Sequence, residues 1–207
     1  MLRLLSVAVT GSIASGKSTV CRFFERWGAR VVDADRLLHQ VFSAETPVGK
    51  KICSLFGESV LRGSVIDRAK VAEIAFSSSE LLEKLEAICH PYVNQAIKEE
   101  YTVASNGNYA FFAAEVPLLF ESRYSLLDWF DATLVVAIDS DIARKRSREK
   151  GWDEEQYSRR EKRLLPQERK TEKATYVVTN NGSLKELEDS AKKLFEELRI
   201  CNISQQS

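Results

Sequence analysis

Gly11-Ser12-Ile13-Ala14-Ser15-Gly16-Lys17-Ser18 constrains this chain more than any other stretch. It satisfies the pattern G-x-x-x-x-G-K-[ST] in full. Glycines let the backbone wrap so that several N–H groups converge on one anion. A helix that follows aims its positive end at the same point. Lys17 adds a point charge suited to the β- and γ-phosphates of ATP, and Ser18 a hydroxyl suited to Mg²⁺. The candidate nucleotide contacts are Gly11, Ala14, Ser15, Gly16, Lys17 and Ser18, with Thr19 next in line. The competing reading is a ligand-free glycine turn. The complete motif, set between an apolar strand and an amphipathic helix, disfavours it.

The flanks of the loop fix the fold class. Residues 4–9, apolar apart from Ser6, read as a buried strand. Val20, Phe23, Phe24 and Trp27 then recur at helical spacing, with Gly28 as a stop, and residues 30–33 read as a second strand. A strand–loop–helix–strand unit predicts a parallel sheet with crossover helices. Strand character returns at 109–114, ending on Glu115, at 132–138, ending on Asp139, and at Tyr176-Val177-Val178. The expected fold is therefore α/β, a three-layer P-loop fold around a five-stranded parallel sheet.

Between the second and third strands, residues 35–106 carry helical patterns such as Leu37-Leu38-Val41-Phe42 and Leu81-Leu82-Leu85-Ile88, with little β-branched clustering. They read as a helical insertion whose turns are marked by Gly49, Gly57 and Gly63. Residues 141–173 are charged and helical. Leu184, Leu187, Ala191, Leu194 and Leu198 predict a closing amphipathic helix, and residues 201–207 a polar, frayed tail. The division is then a core of about 1–34, 107–140 and 174–200, an insertion of about 35–106, and a further helical segment of about 141–173.

Composition narrows the partners. Lys+Arg is 30 and Asp+Glu is 30, giving a formal net charge of zero. A nucleic-acid or anionic-membrane protein carries a basic excess, so neither partner is expected. Nor is an obligate protein partner evident. Cys21, Cys53, Cys89 and Cys201 are scattered and form no C-x-x-C pair, as free thiols of a cytoplasmic protein would be. The apolar stretch after Met1-Leu2-Arg3 has the flavour of a secretion signal, but is too short for one.

A phosphate loop alone does not choose among switches, motors and kinases. The N-K-x-D and D-x-x-G motifs of guanine-nucleotide switches are absent. The helical insertion favours a kinase of metabolites, in which inserted segments close over the acceptor. Such a kinase needs a carboxylate to orient the acceptor hydroxyl and take its proton. Asp33 and Asp35 stand at the end of the second strand. One reads as a cap for the helix from Arg36 onward, the other as the base.

Several short stretches, in order, resemble dephospho-CoA kinases. They are Val32-Asp33-Ala34-Asp35, Phe56-Gly57, Ile66-Asp67-Arg68, His90-Pro91, Pro117-Leu118-Leu119-Phe120-Glu121 and Asn180-Asn181-Gly182. The resemblance covers about residues 7–182. It implies transfer of the ATP γ-phosphate to the ribose 3′-hydroxyl of dephospho-CoA, giving coenzyme A and ADP. It implies that Asp35 is the base, that Lys17 and Arg146 act on the transferred phosphate, and that Asp33, His90, Glu115 and Leu118 line the substrate site. The insertion would be the substrate domain and residues 141–173 the lid. Most of the basic run from Arg144 to Arg163 also reads as a solvated face paired with Glu149, Glu154 and Glu161.

The chain departs from that family's pattern at Ala14, where glycine is common, and at Glu115, which replaces aspartate. Lys150 stands for a lid arginine, Leu164 for a lid glutamine, and Thr175 for aspartate. An alanine at a position needing φ > 0 would cost stability. Two other readings remain: another P-loop kinase of nucleosides or nucleotides, and a nucleotide-binding regulator without catalysis. Intact Lys17, Ser18 and Asp35 speak against the second.

Overall fold

In the computed structural model, which describes residues 3–40, 42–124 and 126–206, the chain forms two compact units. One is Met1–Asp33 with Glu100–Ser207, the other Ala34–Glu99. Val41 of the expected helical pattern and Ser207 of the tail lie outside the described residues. The first unit opens with β1 (Ser6–Gly11), α1 (Lys17–Arg26) and β2 (Arg30–Asp33). The second carries α2 (Ala34–His39), α3 (Pro47–Phe56), the short strands β3 (Leu61–Arg62) and β4 (Val65–Ile66), α4 (Arg68–Phe76) and most of α5 (Ser79–Ala104). The first resumes with β5 (Phe112–Glu115), β6 (Ala132–Ala137), α6 (Ser140–Glu149), α7 (Glu154–Glu161), α8 (Gln167–Lys173), β7 (Tyr176–Thr179) and α9 (Leu184–Gln206).

Five strands pair in the order β2-β5-β1-β6-β7, all parallel. The apolar runs of β1, β5 and β6 are buried along their whole length, as strands covered on both faces must be. Side chains alternate across the sheet. One face carries Val7, Val9, Phe111, Leu134 and Val136 into a core with Phe24 of α1 and Leu187, Ala191, Phe195 and Leu198 of α9. On the other, the Phe112 ring meets Tyr101 edge-on at 5.4 Å, and the Tyr101 hydroxyl donates to the Leu4 carbonyl at 2.7 Å. The parallel order brings the carboxyl ends of the strands to one edge, where α/β sheets of this kind hold their ligands.

The second unit has its own small core of Val48, Ile52, Val60, Ile66, Val71 and Cys89. Asp67 caps α4, its carboxylate accepting from the N–H groups of Ala69 and Lys70. These bonds, the Lys70 one foremost, hold its carboxyl below the ordinary range. Gly57 ends α3 at φ 78°. Two pieces of the sequence pattern, Phe56-Gly57 and Ile66-Asp67-Arg68, thus have a local structural job.

The insertion is mostly helical, with a short β3–β4 hairpin turning at Gly63 (φ 64°). Three expectations need correction. Gly49 marks no turn. It lies in the first turn of α3, where a Cβ would run into the Ser43 carbonyl. The tail does not fray at residue 201. α9 continues through it, because the buried Asn202 amide oxygen accepts from the Leu5 N–H at 2.7 Å, a donor just ahead of the β1 ladder. Leu184 is exposed while Leu187, Ala191, Leu194 and Leu198 are buried; it borders a surface cavity instead of the core. Among the described residues no helix is long and apolar enough to cross a membrane, and all four cysteines are unbridged.

Candidate active site

β1 ends on Gly11, and the chain turns into α1 through a loop shaped by its glycines. A Cβ at Gly11 would strike the Val136 carbonyl on the neighbouring strand. Gly16 sits at φ 95° against the Asn180 side-chain amide. That amide donates to the Ser15 carbonyl at 2.7 Å and is buried. Asn180 lies directly beyond β7, and its own N–H bonds the Ala137 carbonyl at the end of β6. The loop is therefore fixed from behind by backbone that belongs to the sheet. Ala14 adopts φ 53°, the only positive φ at a non-glycine among the described residues. The position where glycine is common thus does require the left-handed conformation.

Polar atoms are set inside this frame. The Lys17 ammonium donates to the carbonyls of Ser12 at 2.8 Å and Gly11 at 3.3 Å, so it lies back over the loop. The Ser15 hydroxyl is buried with no hydrogen-bond partner among the described residues. An unpaired buried hydroxyl is costly, and a phosphate oxygen is the acceptor that this motif binds. The Ser18 hydroxyl donates to the Glu115 carboxylate at 2.9 Å. Glu115 ends β5, is only 8% exposed, and stands beside Asp33 in the parallel ladder. The thiol of Cys21, one turn into α1, reports the same grouping. Burial, then the nearby Glu115 and Asp33 carboxylates, push it well up against the opposing pull of Lys17. It is a neutral thiol at physiological pH.

Two cavities flank the loop. One of about 360 Å³ is lined by Ala14, Gly16, Thr19, Arg146, Lys150 and Asn180 among others, and the Arg146 guanidinium donates to the Gly182 carbonyl at 3.4 Å. The other, about 610 Å³, borders Ser12 and Ile13 on one side and Asp139, Tyr157, Glu161 and Gln167 on the other. Burial first, then Glu161, pushes the Tyr157 phenol up to about 12, so it is neutral there. The basic run reads as expected for a solvated face. Arg144 pairs with Glu154 and Glu161, and Arg148 with Glu154. Thr175 exchanges two bonds with Thr133, N–H to hydroxyl both ways. That pairing ties the start of β7 to β6 without the aspartate.

Of the residues expected from sequence, Gly11, Ala14, Ser15, Gly16, Lys17, Ser18, Thr19, Asp33, Glu115 and Arg146 lie in the first unit around the loop. Leu118 is half-buried in the turn after β5. Asp35, in the first turn of α2, and His90, in α5, belong to the second unit. Two loop contacts escaped the sequence. Asn180 lies in one of the stretches that resemble the family, and the resemblance implies no role for it. Gln167, whose side-chain oxygen accepts from Ser12 Oγ and the Ile138 N–H, carried no signal at all.

Known proteins are similar to this chain along nearly all its length. The family model described as dephospho-CoA kinase matches residues 5–186. The chain is 39% identical over 201 residues to the dephospho-CoA kinase of Chlamydia pneumoniae, covering 96% of this chain and 98% of that one. The solved structure of TT1252 from Thermus thermophilus superposes with a TM-score of 0.79 at 34% identity, covering 95% and 98% of the two chains. The dephospho-CoA kinase from Campylobacter jejuni gives a TM-score of 0.71 at 26% identity over the same shares. With a complete phosphate loop, a carboxylate on its serine and a match along nearly all its length, this chain belongs to the dephospho-CoA kinase family.

Proposed function

We propose that the chain transfers the γ-phosphate of ATP to the ribose 3′-hydroxyl of dephospho-CoA, giving coenzyme A and ADP in the cytoplasm. The observation that carries the mechanism is the loop itself, with its Ser18–Glu115 hydrogen bond and its unpartnered Ser15 hydroxyl. Backbone N–H groups of residues 11–18 and the start of α1 bind the phosphates. Lys17 moves from the Gly11 and Ser12 carbonyls onto the β- and γ-phosphate oxygens, where negative charge must be neutralised. Asp35 orients the acceptor hydroxyl and takes its proton as the new P–O bond forms and the bond to the β-phosphate oxygen breaks. Asp33 stays at the end of β2 beside Glu115.

The donor set fits Mg²⁺. Ser18 Oγ and Glu115 Oε1, two hard oxygens 2.9 Å apart, would hold it together with ATP phosphates and water. Bound there, the ion would neutralise phosphate charge. Glu115 on this reading serves the metal end of the site more than the acceptor. Residues 35–106 act as the substrate domain, with His90 and Leu118 as acceptor contacts. Residues 141–173 act as the lid, with Arg146 reaching the nucleotide.

ADP release in a coupled assay with Mg-ATP tests the reading. Dephospho-CoA should support turnover and a panel of nucleosides should not; preference for a nucleoside would refute it. The role of Asp35 has its own test. Asp35→Asn keeps size but cannot accept the proton, so kcat should fall roughly 10²–10⁴-fold with ATP affinity little changed. Asp33→Asn should cost less. A dead Asp33→Asn beside an active Asp35→Asn would reverse the two assignments.

A further inference from the structure

Helix α8 lies some 155 residues beyond the phosphate loop in sequence, yet one of its side chains is built into the loop's support. Gln167 Oε1 accepts two hydrogen bonds, from the Ile138 N–H at 2.7 Å and from Ser12 Oγ at 3.3 Å. Ile138 directly follows β6 and is buried, so its N–H needs an acceptor once the ladder has ended. Ser12 is the second residue of the loop, and its carbonyl accepts from the Lys17 ammonium at 2.8 Å, closer than the Gly11 carbonyl does at 3.3 Å. A continuous path therefore runs from the end of β6 through Gln167 and Ser12 to Lys17.

The helix that presents Gln167 is pinned from below. Lys170, one turn further on, is fully buried, and its ammonium lies 2.7 Å from Glu121 Oε1. The same carboxylate oxygen accepts from the Leu165 N–H at 2.9 Å, just ahead of α8. Among the described residues Lys170 Nζ and Glu121 Oε2 make no well-directed hydrogen bond, yet separating the pair would strand two charges away from water, so it resists displacement. Residues 165–170 are thus held at both ends of the first turn of α8, and Gln167 projects from that turn.

We propose that Gln167 is a positioning residue for phosphoryl transfer: it fixes Ser12, and with it the loop from which Lys17 reaches the phosphates, relative to the end of β6. The assignment rests on the kinase reading above. Gln167 acts through Ser12 and Lys17. Its effect falls on how often the loop and its lysine stand in the reactive arrangement, and so on kcat more than on nucleotide affinity. Small misplacements of this kind cost up to roughly 10²-fold.

The test is a double-mutant cycle on the full chain: wild type, Gln167→Met, Ser12→Ala and the double variant. Each is assayed for kcat, KM for dephospho-CoA, ATP Kd by calorimetry, and Tm. Gln167→Met keeps length and removes the acceptor. Each single variant should lose kcat about tenfold with ATP Kd within about threefold, and the double should lose no more than about twofold beyond the worse single. A Gln167→Met kcat within about twofold of wild type overturns the proposal. So do losses that multiply in the double variant, or a loss confined to Tm. Should Gln167→Met fail to fold, Ser12→Ala decides alone, since it leaves the Gln167–Ile138 bond in place: near-wild-type kcat overturns, and a lowered kcat at unchanged Tm and ATP Kd supports. An inactive wild type would instead refute the kinase reading.

Discussion

The phosphate loop and the charged segment α6–α8 meet the same ligand-bearing edge of the sheet but are held by different forces. The loop is fixed by backbone: glycines where a Cβ would strike neighbouring atoms, the Asn180 amide on the Ser15 carbonyl, and a buried sheet beneath. Most of α6 and α7 is fixed by exposed ion pairs, such as Arg144 with Glu154 and Glu161, over a small apolar cluster of Ile138, Ala143 and Tyr157. Interactions of the first kind are steep and insensitive to salt. Those of the second are shallow and screened. A kinase needs both, a preorganised cradle for the phosphates and a segment that yields when substrate arrives and product leaves. The buried Lys170–Glu121 pair and the Gln167–Ser12 bond are where the charged segment is fastened to the turn after β5 and to the loop.

That contrast can be broken at the loop first. Lys17→Ala removes the charged side chain of the loop and none of its backbone. Turnover should drop roughly 10²–10³-fold while Tm stays within a degree or two of wild type. A large loss of Tm would mean that the ammonium holds the loop together through the Gly11 and Ser12 carbonyls, and that the cradle is not preorganised. Asn180→Ala attacks the frame instead. It leaves the Ser15 carbonyl buried without its donor, so about 1–3 kcal/mol of stability should go, read by urea unfolding. An unchanged midpoint would show that the Asn180 contact is dispensable. Arg144→Gln, in the charged segment, should cost under about 1 kcal/mol at low salt, and less in high salt. A salt-insensitive loss would point to the stacking of Arg144 over Tyr157, at 5.1 Å, as the larger effect.

The same contrast governs what could be read from sequence. The loop was legible residue by residue because its chemistry is local: glycines, a lysine and a serine at fixed spacing, between a strand and a helix. The parallel sheet followed from buried apolar runs. Strand limits shifted, as at residues 109–114 against Phe112–Glu115, because hydrogen-bond pairing, not apolarity, decides where a ladder starts. The Gln167–Ser12 bond joins residues 155 apart and left no periodic trace. Leu184 and Leu187 carry the same side chain, and only the tertiary surroundings make one exposed and the other core. Gly49 and Asn202 were misread for a common reason: each answers to one distant backbone group, the Ser43 carbonyl or the Leu5 N–H.

The smallest expected effect tests whether the loop's rigidity carries strain. Ala14 holds φ 53° with a Cβ, in a conformation that costs a non-glycine residue about 1–2 kcal/mol. Glycine would relieve that cost, but its freer unfolded chain takes back about 0.5–1 kcal/mol. The balance favours Ala14→Gly by about 0.5 kcal/mol, which for a chain of this size is a rise in Tm of about 1–2 °C. Because the backbone already has the shape that glycine prefers, kcat and ATP affinity should stay within about twofold. Ala14→Val sharpens the result from the other side. A β-branched residue is worse than alanine at positive φ, so it should lower Tm and weaken ATP binding together. If glycine instead lowers Tm, the Ala14 methyl contributes more by packing at the rim of the 360 Å³ cavity than its backbone costs. The alanine would then stabilise the loop in spite of its strain, and the cradle would owe part of its stiffness to a side chain.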